Sequence, residues 1–142
     1  MQVYSNILVA MDCSSVDDAI IEHVSALALQ NKAKVYLLHV VHSHTLDQDR
    51  ALRERAGRVL KSRCEKLQAR GIEARIVIRS GEPDAEILEE IEKKDYDLVA
   101  MATHGHSFIG DLLFGSVSRT LKHRISIPLL LIGPRSSKVH EG

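Results

Sequence analysis

Tryptophan is absent from this chain, and two Phe and three Tyr bring the aromatic content to only 4%. Flavin sites usually want aromatic stacking, so this scarcity argues against a flavoprotein or electron carrier. An excess of charge of one sign is missing too. Lys plus Arg and Asp plus Glu are both 19, for a net charge of zero. Nothing in this balance points to a broad basic surface for nucleic acid or anionic lipid. Cysteine is scarce: Cys13 and Cys64 fall in neither a CxxC nor a Cys/His metal spacing. Cys64 lies on an apolar helix stripe and reads as a core residue. Cys13 lies in a loop before a helix, where a thiol pKa can fall, and a redox role is its minor reading. No apolar run approaches the ~20 residues of a membrane span. The N-terminus reaches the apolar run Ile7–Met11 without a charged leader, so the expected location is the cytoplasm.

What is present is ordinary globular chemistry, with 44% apolar and 27% charged residues. The 142 residues are expected to form one domain with a substantial core, 1–142, ending in a loose polar tail over 134–142. The basic cluster Arg50–Arg63 is interleaved with Glu54 and apolar positions, and reads as a solvated helix face.

Five short apolar runs alternate with helical patterns. Strands are expected at Asn6–Met11, Lys34–Val41, Glu73–Ile78, Tyr96–Ala102 and Pro128–Ile132. Ser14 or Ser15 offers a cap for a first helix, whose stripe runs through Val16, Ile20, Val24, Leu27 and Ala28. His42–Asp49 reads as a polar connection. A second stripe, Leu52, Ala56, Val59, Leu60, Cys64 and Leu67, stops at Gly71. Gly81-Glu-Pro83 is a turn into a short helix carrying Asp84, Ile87, Leu88 and Ile91. Ser116–Arg124 is the last helix, with Val117 and Leu121 inward. The alternation predicts an α/β fold: a single doubly wound five-stranded parallel sheet with helices on both faces, Rossmann-like. Ligands of such sheets bind outside the carboxyl ends of the strands, where strand order reverses. The loop Asp12–Ser14, the strand end at Val40 and Val41, and the loop after the fourth strand all lie on that edge.

That last loop carries a glycine signature. Gly105, nine residues, then Gly115-Ser116 stand between a strand and a helix. Glycine lets the backbone approach an anion, and the free N–H groups of a helix start point at it. The Ser116 hydroxyl serves as helix cap and phosphate ligand alike. Asp12, closing the first strand, suits a ribose hydroxyl or an exocyclic amine, or else caps the first helix. Gly110 reads as loop flexibility. His104 and His106 flank Gly105 and read as loop structure or a phosphate contact, and Ser118 is a further phosphate candidate. Two histidines in a loop with no third ligand make a poor metal site. His39, inside a strand, reads as a satisfied interior histidine.

With these residues in view the chain resembles the universal stress protein (UspA) family, in its ATP-binding subgroup, from Ile7 to Ile132. The resemblance rests on ILVAMD, LLHVV, DLVAMATHG and above all GSVSRTLKHRISIPLLLI. Nucleotide-binding members carry Gly-x-x-Gly, nine residues, Gly-Ser/Thr; Gly105, Gly115 and Ser116 match, and Ala102 stands at the first glycine. The resemblance implies an adenine nucleotide alpha hydrolase-like fold and bound ATP, or ADP or AMP, with Mg²⁺ accompanying the triphosphate. By the same resemblance Asp12 bonds the adenosine, and Val40 and Met101 line the adenine. The backbone of Gly105, Gly115, Ser116 and Val117 holds the phosphates. A homodimer through Pro128–Ile132 is implied as well, which agrees with the tendency of an apolar edge strand to pair with another chain. Ala102 is harmless if extended, and costs about 1 kcal/mol or more if that residue has positive φ.

These expectations describe a nucleotide-binding regulatory or stress-response module rather than an enzyme. A GxxxxGK lysine is missing, since Val117 follows Gly115-Ser116. No arginine or general base is placed for fast phosphoryl transfer, which leaves at most slow ATP hydrolysis. The alternative is a dimeric interaction module of the same family that has lost its nucleotide, for which Ala102 is the motive.

Overall fold

The structure, a computed structural model, describes residues 2–13, 17–102 and 117–132. Five strands, β1 (Asn6–Ala10), β2 (Lys34–Val41), β3 (Ala74–Ser80), β4 (Leu98–Ala102) and β5 (Leu129–Ile132), form one sheet in the order β3-β2-β1-β4-β5. Every pairing is parallel. Three helices are α1 (Asp17–Asn31), α2 (Leu46–Ala69) and α3 (Pro83–Lys93), and residues 117–124 are helical and are called α4.

The strands form because their runs are apolar on both sides, and the sheet is covered on both sides. On one face Ile7, Val9, Val35, Leu37 and Ala100 pack against Ile20 and Val24 of α1 and Leu60 and Leu67 of α2. On the other, Leu8, Ala10, Leu38, Val99 and Met101 pack against Ile87 and Leu88 of α3 and Val117 and Leu121 of α4. The expected doubly wound arrangement is therefore present. Among the described residues no helix is long and apolar enough to cross a membrane.

β1 and β5 are each one residue shorter than expected, ending at Ala10 and beginning at Leu129, and three boundaries differ more. The stretch read as a connection, His42–Asp49, already contains the first turn of α2, which starts at Leu46. Thr45 caps it by accepting from the Gln48 N–H at 3.1 Å, and Asp47 and Asp49 complement the helix dipole. β3 lies later than expected, reaching Ser80, because Arg79 and Ser80 pair with Val40 and Val41. β4 begins at Leu98, since Asp97 instead turns its carboxylate to the N–H groups of Ser5 and Asn6, at 2.7 and 3.0 Å. The predicted stop at Gly71 is a complete C-terminal cap. Gly71 has φ +86°, its N–H donates to Gln68 O, and that of Ile72 donates to Leu67 O.

Candidate functional site

Parallel strands place all their carboxyl ends on one edge. From β1 the chain proceeds to β2 and β3 on one side, then crosses to β4 and β5 on the other. β1 and β4 are neighbours whose following helices, α1 and α4, cover opposite faces, and sheets of this topology bind ligands where strand order reverses in this way. Ala10 is level with Leu38 on one side and Met101 on the other. Beyond this row come Met11 and Asp12, just past the end of β1, His39 and Val40 of β2, and Ala102 of β4.

Asp12 follows the last bond of β1, the Met11 N–H donating to Leu38 O at 2.8 Å. His39 adds a second tie. Its Nδ1–H donates to the Met11 carbonyl at 2.8 Å, so that nitrogen carries the proton. His39 is half-buried, as expected of a satisfied interior histidine. Its position beside Asp12 is a feature the sequence reading did not draw; the signal was an imidazole inside the apolar run LLHVV. The chain then turns sharply, because Cys13 has φ +64°. A side chain in this left-handed region costs on the order of 1 kcal/mol, and such strain concentrates at ligand clamps. Cysteine carries no turn signal, so this bend was invisible in the sequence.

The site residues divide between the two faces. Met101 and Val117 are buried in the cluster against α3 and α4, and Val40 packs partly buried against the same cluster. These three come together. Ala102 belongs to the opposite face, with α1 and α2, and pairs with Ile132. It lies in extended strand backbone, so its Cβ carries no left-handed penalty. Ser118 is half-buried on α4. Ser14, Ser15, Val16, His104, Gly105, His106, Gly110, Gly115, Ser116 and the tail 134–142 lie outside the described residues.

A second polar centre lies on the α3 face. Glu90 is buried, its side chain 3% exposed, and accepts from Arg79 Nη1 at 2.9 Å and Tyr96 Oη at 2.6 Å. Lys94 Nζ is 3.1 Å from the same carboxylate, and Arg79 also bonds Glu86 and Glu89. Burial alone would raise the Glu90 carboxyl. The hydrogen bonds from Tyr96, Lys94 and Arg79 outweigh it and hold the group below the ordinary carboxylate range. Burial and the Glu90 bond push the Tyr96 phenol up. This network fastens α3 to β3 and to the start of β4. Sequence periodicity gave no sign of it, because a glutamate in an amphipathic helix reads as exposed.

Known proteins share this frame. The model of the universal stress protein family matches residues 4–133. The chain belongs to the universal stress protein family. One curated relative is the universal stress protein YxiE of Bacillus subtilis, 25% identical, with 92% of this chain and 99% of YxiE covered. Among solved structures, MJ0577 of Methanocaldococcus jannaschii superposes with a TM-score of 0.81 at 25% identity, over 94% of this chain and 99% of that one. A universal stress protein from Archaeoglobus fulgidus, solved in complex with dAMP, shares the fold at a TM-score of 0.68 and 20% identity, over 92% and 99% of the two chains. Among the described candidate residues, Asp12 lies just past β1, Val40 near the end of β2, and Met101 and Ala102 at the end of β4.

Proposed function

We propose that this chain binds an adenine nucleotide, ATP first among them, at the carboxyl edge between β1 and β4, and acts as a regulatory module with at most slow hydrolysis. The observation that carries the reading is the reversal of strand order at this edge, with Asp12 closing β1 and the Gly105/Gly115–Ser116 segment following β4. The residues fit an adenosine. Asp12 is an acceptor for a ribose hydroxyl or the exocyclic amine, on a bend held by His39 and the left-handed Cys13. Val40 supplies apolar surface, and Met101 and Val117 back it. Ala102, being extended, does not obstruct the fit. Glycine-bordered N–H groups at Gly105, Gly115, Ser116 and Val117, with the Ser116 and Ser118 hydroxyls, suit phosphates. Mg²⁺ would arrive with the triphosphate. The A. fulgidus relative's dAMP complex supports the class of ligand.

The second part of the reading is a homodimer through β5, carried by the exposed Leu131 on this apolar edge strand.

Mass spectrometry of nucleotide released from freshly purified protein tests the binding, with titration of added ATP and Mg²⁺ alongside. ATP or ADP is expected from the native chain. Gly115→Val is expected to release none, and Asp12→Ala to weaken the titrated affinity at least tenfold. No nucleotide and no binding heat in the native chain would leave only the interaction module.

A further inference from the structure

The two outermost strands of the sheet, β3 and β5, expose different chemistry at their outward backbone groups. In a parallel strand, successive residues turn their backbone groups alternately to one neighbour and the other. Val35 N–H donates to Glu73 O at 2.9 Å, so that carbonyl faces β2. The carbonyls of Ala74, Ile76, Ile78 and Ser80 therefore face out of the sheet. Two of these four are occupied by long side chains from α2. Gln68 Nε2 donates to Ala74 O at 3.3 Å, and Arg53 Nη2 donates to Ile78 O at 3.3 Å. Arg53 Nη1 also donates to Ser80 Oγ at 2.9 Å, which holds the guanidinium at the end of the strand. On β5, Val99 N–H donates to Pro128 O at 3.1 Å, so the backbone groups of Leu129 and Leu131 face outward. Among the described residues, no side-chain hydrogen bond to those two is found, and Leu131 is 43% exposed.

An unpaired strand edge is a template for another chain, and natural sheets cover or charge the edges they do not use. A subunit with two open edges adds copies at both ends and grows into an open assembly, whereas one open edge closes on its own copy as a two-fold pair. We propose that Arg53 and Gln68 close the β3 edge against sheet addition, so that pairing between copies of this chain is confined to β5 and stops at two. The inference rests on the β5 homodimer reading for the number two, and on the α2 contacts alone for the closure of β3.

The experiment is light scattering after size exclusion, from micromolar to near-millimolar chain, on the native protein and on R53A/Q68A, with far-ultraviolet dichroism to confirm the fold. The native chain is expected at two copies throughout. The variant is expected to keep its dichroism and to exceed four copies, with mass rising with concentration. R53A/Q68A/I76K, which puts a charge on the β3 edge, is expected to return to two. A folded R53A/Q68A that stays at the native mass overturns the proposal. So does a large species that persists in the triple variant, because it would then come from misfolding. If the double variant loses its dichroism, R53M carries the same test, since it keeps the aliphatic stem over Ile78 but no donor. A native chain found as single copies would sink the β5 reading alone; the closure of β3 would then stand if the variant pairs and fall if it does not.

Discussion

The outer strands β3 and β5 belong to one parallel sheet but are secured differently. β3 is held by polar side chains on both faces: Arg53 and Gln68 reach its outward carbonyls from α2, and its own Arg79 grips Glu86, Glu89 and Glu90 of α3. β5 reads Leu-Leu-Leu-Ile, with half-buried side chains and one well exposed. Polar locks satisfy an edge within the chain and fix its geometry. An apolar edge leaves its satisfaction to another chain. One sheet can thus contain an end that is finished and an end that is offered.

The largest effect should come from unlocking the finished end. Arg79→Met removes one of the two cations on the buried Glu90 carboxylate and leaves Lys94 and Tyr96 in place, a loss of about 1–3 kcal/mol in urea unfolding. Arg79→Met/Glu90→Leu should recover most of it, since the under-compensated buried charge is then gone. Failure of that recovery would mean that the network positions α3 in a way apolar packing does not replace.

A smaller effect is expected from acid. The folded Glu90 carboxyl lies below its ordinary value of 4.5, so the unfolded chain takes up this proton first as pH falls. The stabilisation is full well above pH 4.5 and drains away as pH drops through that value toward the folded one. Glu89, lowered chiefly by its hydrogen bond from Lys93, contributes in the same direction. Urea midpoints between pH 3 and 7 should fall on the acid side, and Glu90→Gln should flatten part of that slope. An unchanged slope would show that Glu90 is not the group being titrated.

The smallest effect on stability should come from the offered end. Leu131→Lys should change the unfolding free energy of the single chain by no more than about 0.5 kcal/mol, because the side chain is already exposed, apart from the mass-action stabilisation lost with the pair. Light scattering should nevertheless fall from two chains to one. A pair that survives this substitution would place the interface elsewhere.

Much of this fold was legible. β2 matched to the residue, Lys34–Val41, because a strand buried on both sides is written as an unbroken apolar run. Gly71 ended its helix as expected. The start of α2 was lost for the opposite reason: Thr45, Asp47, Gln48 and Asp49 are polar like a loop, yet they are also the cap and first turn of a helix. At the site, Asp12 was legible as a carboxylate ending a strand. The bend after it was not, since φ +64° at Cys13 is imposed by its surroundings and cysteine does not favour it. The division of Met101 from Ala102 did follow from the strand read over Tyr96–Ala102, since adjacent strand residues alternate to opposite faces, but which helices cover each face did not.

The sequence by itself determined the alternation of strands and helices and the parallel sheet, because hydrophobic periodicity and turn residues act locally; the universal stress protein family followed from its motifs, above all GSVSRTLKHRISIPLLLI, and not from periodicity. Tertiary structure decided which strands became edges, which glutamate was buried and which arginine met it. Strand order and burial depend on residues distant in sequence, such as Arg79, Glu90 and Tyr96, and the strength of each contact exists only once the sheet and its helices have brought them together.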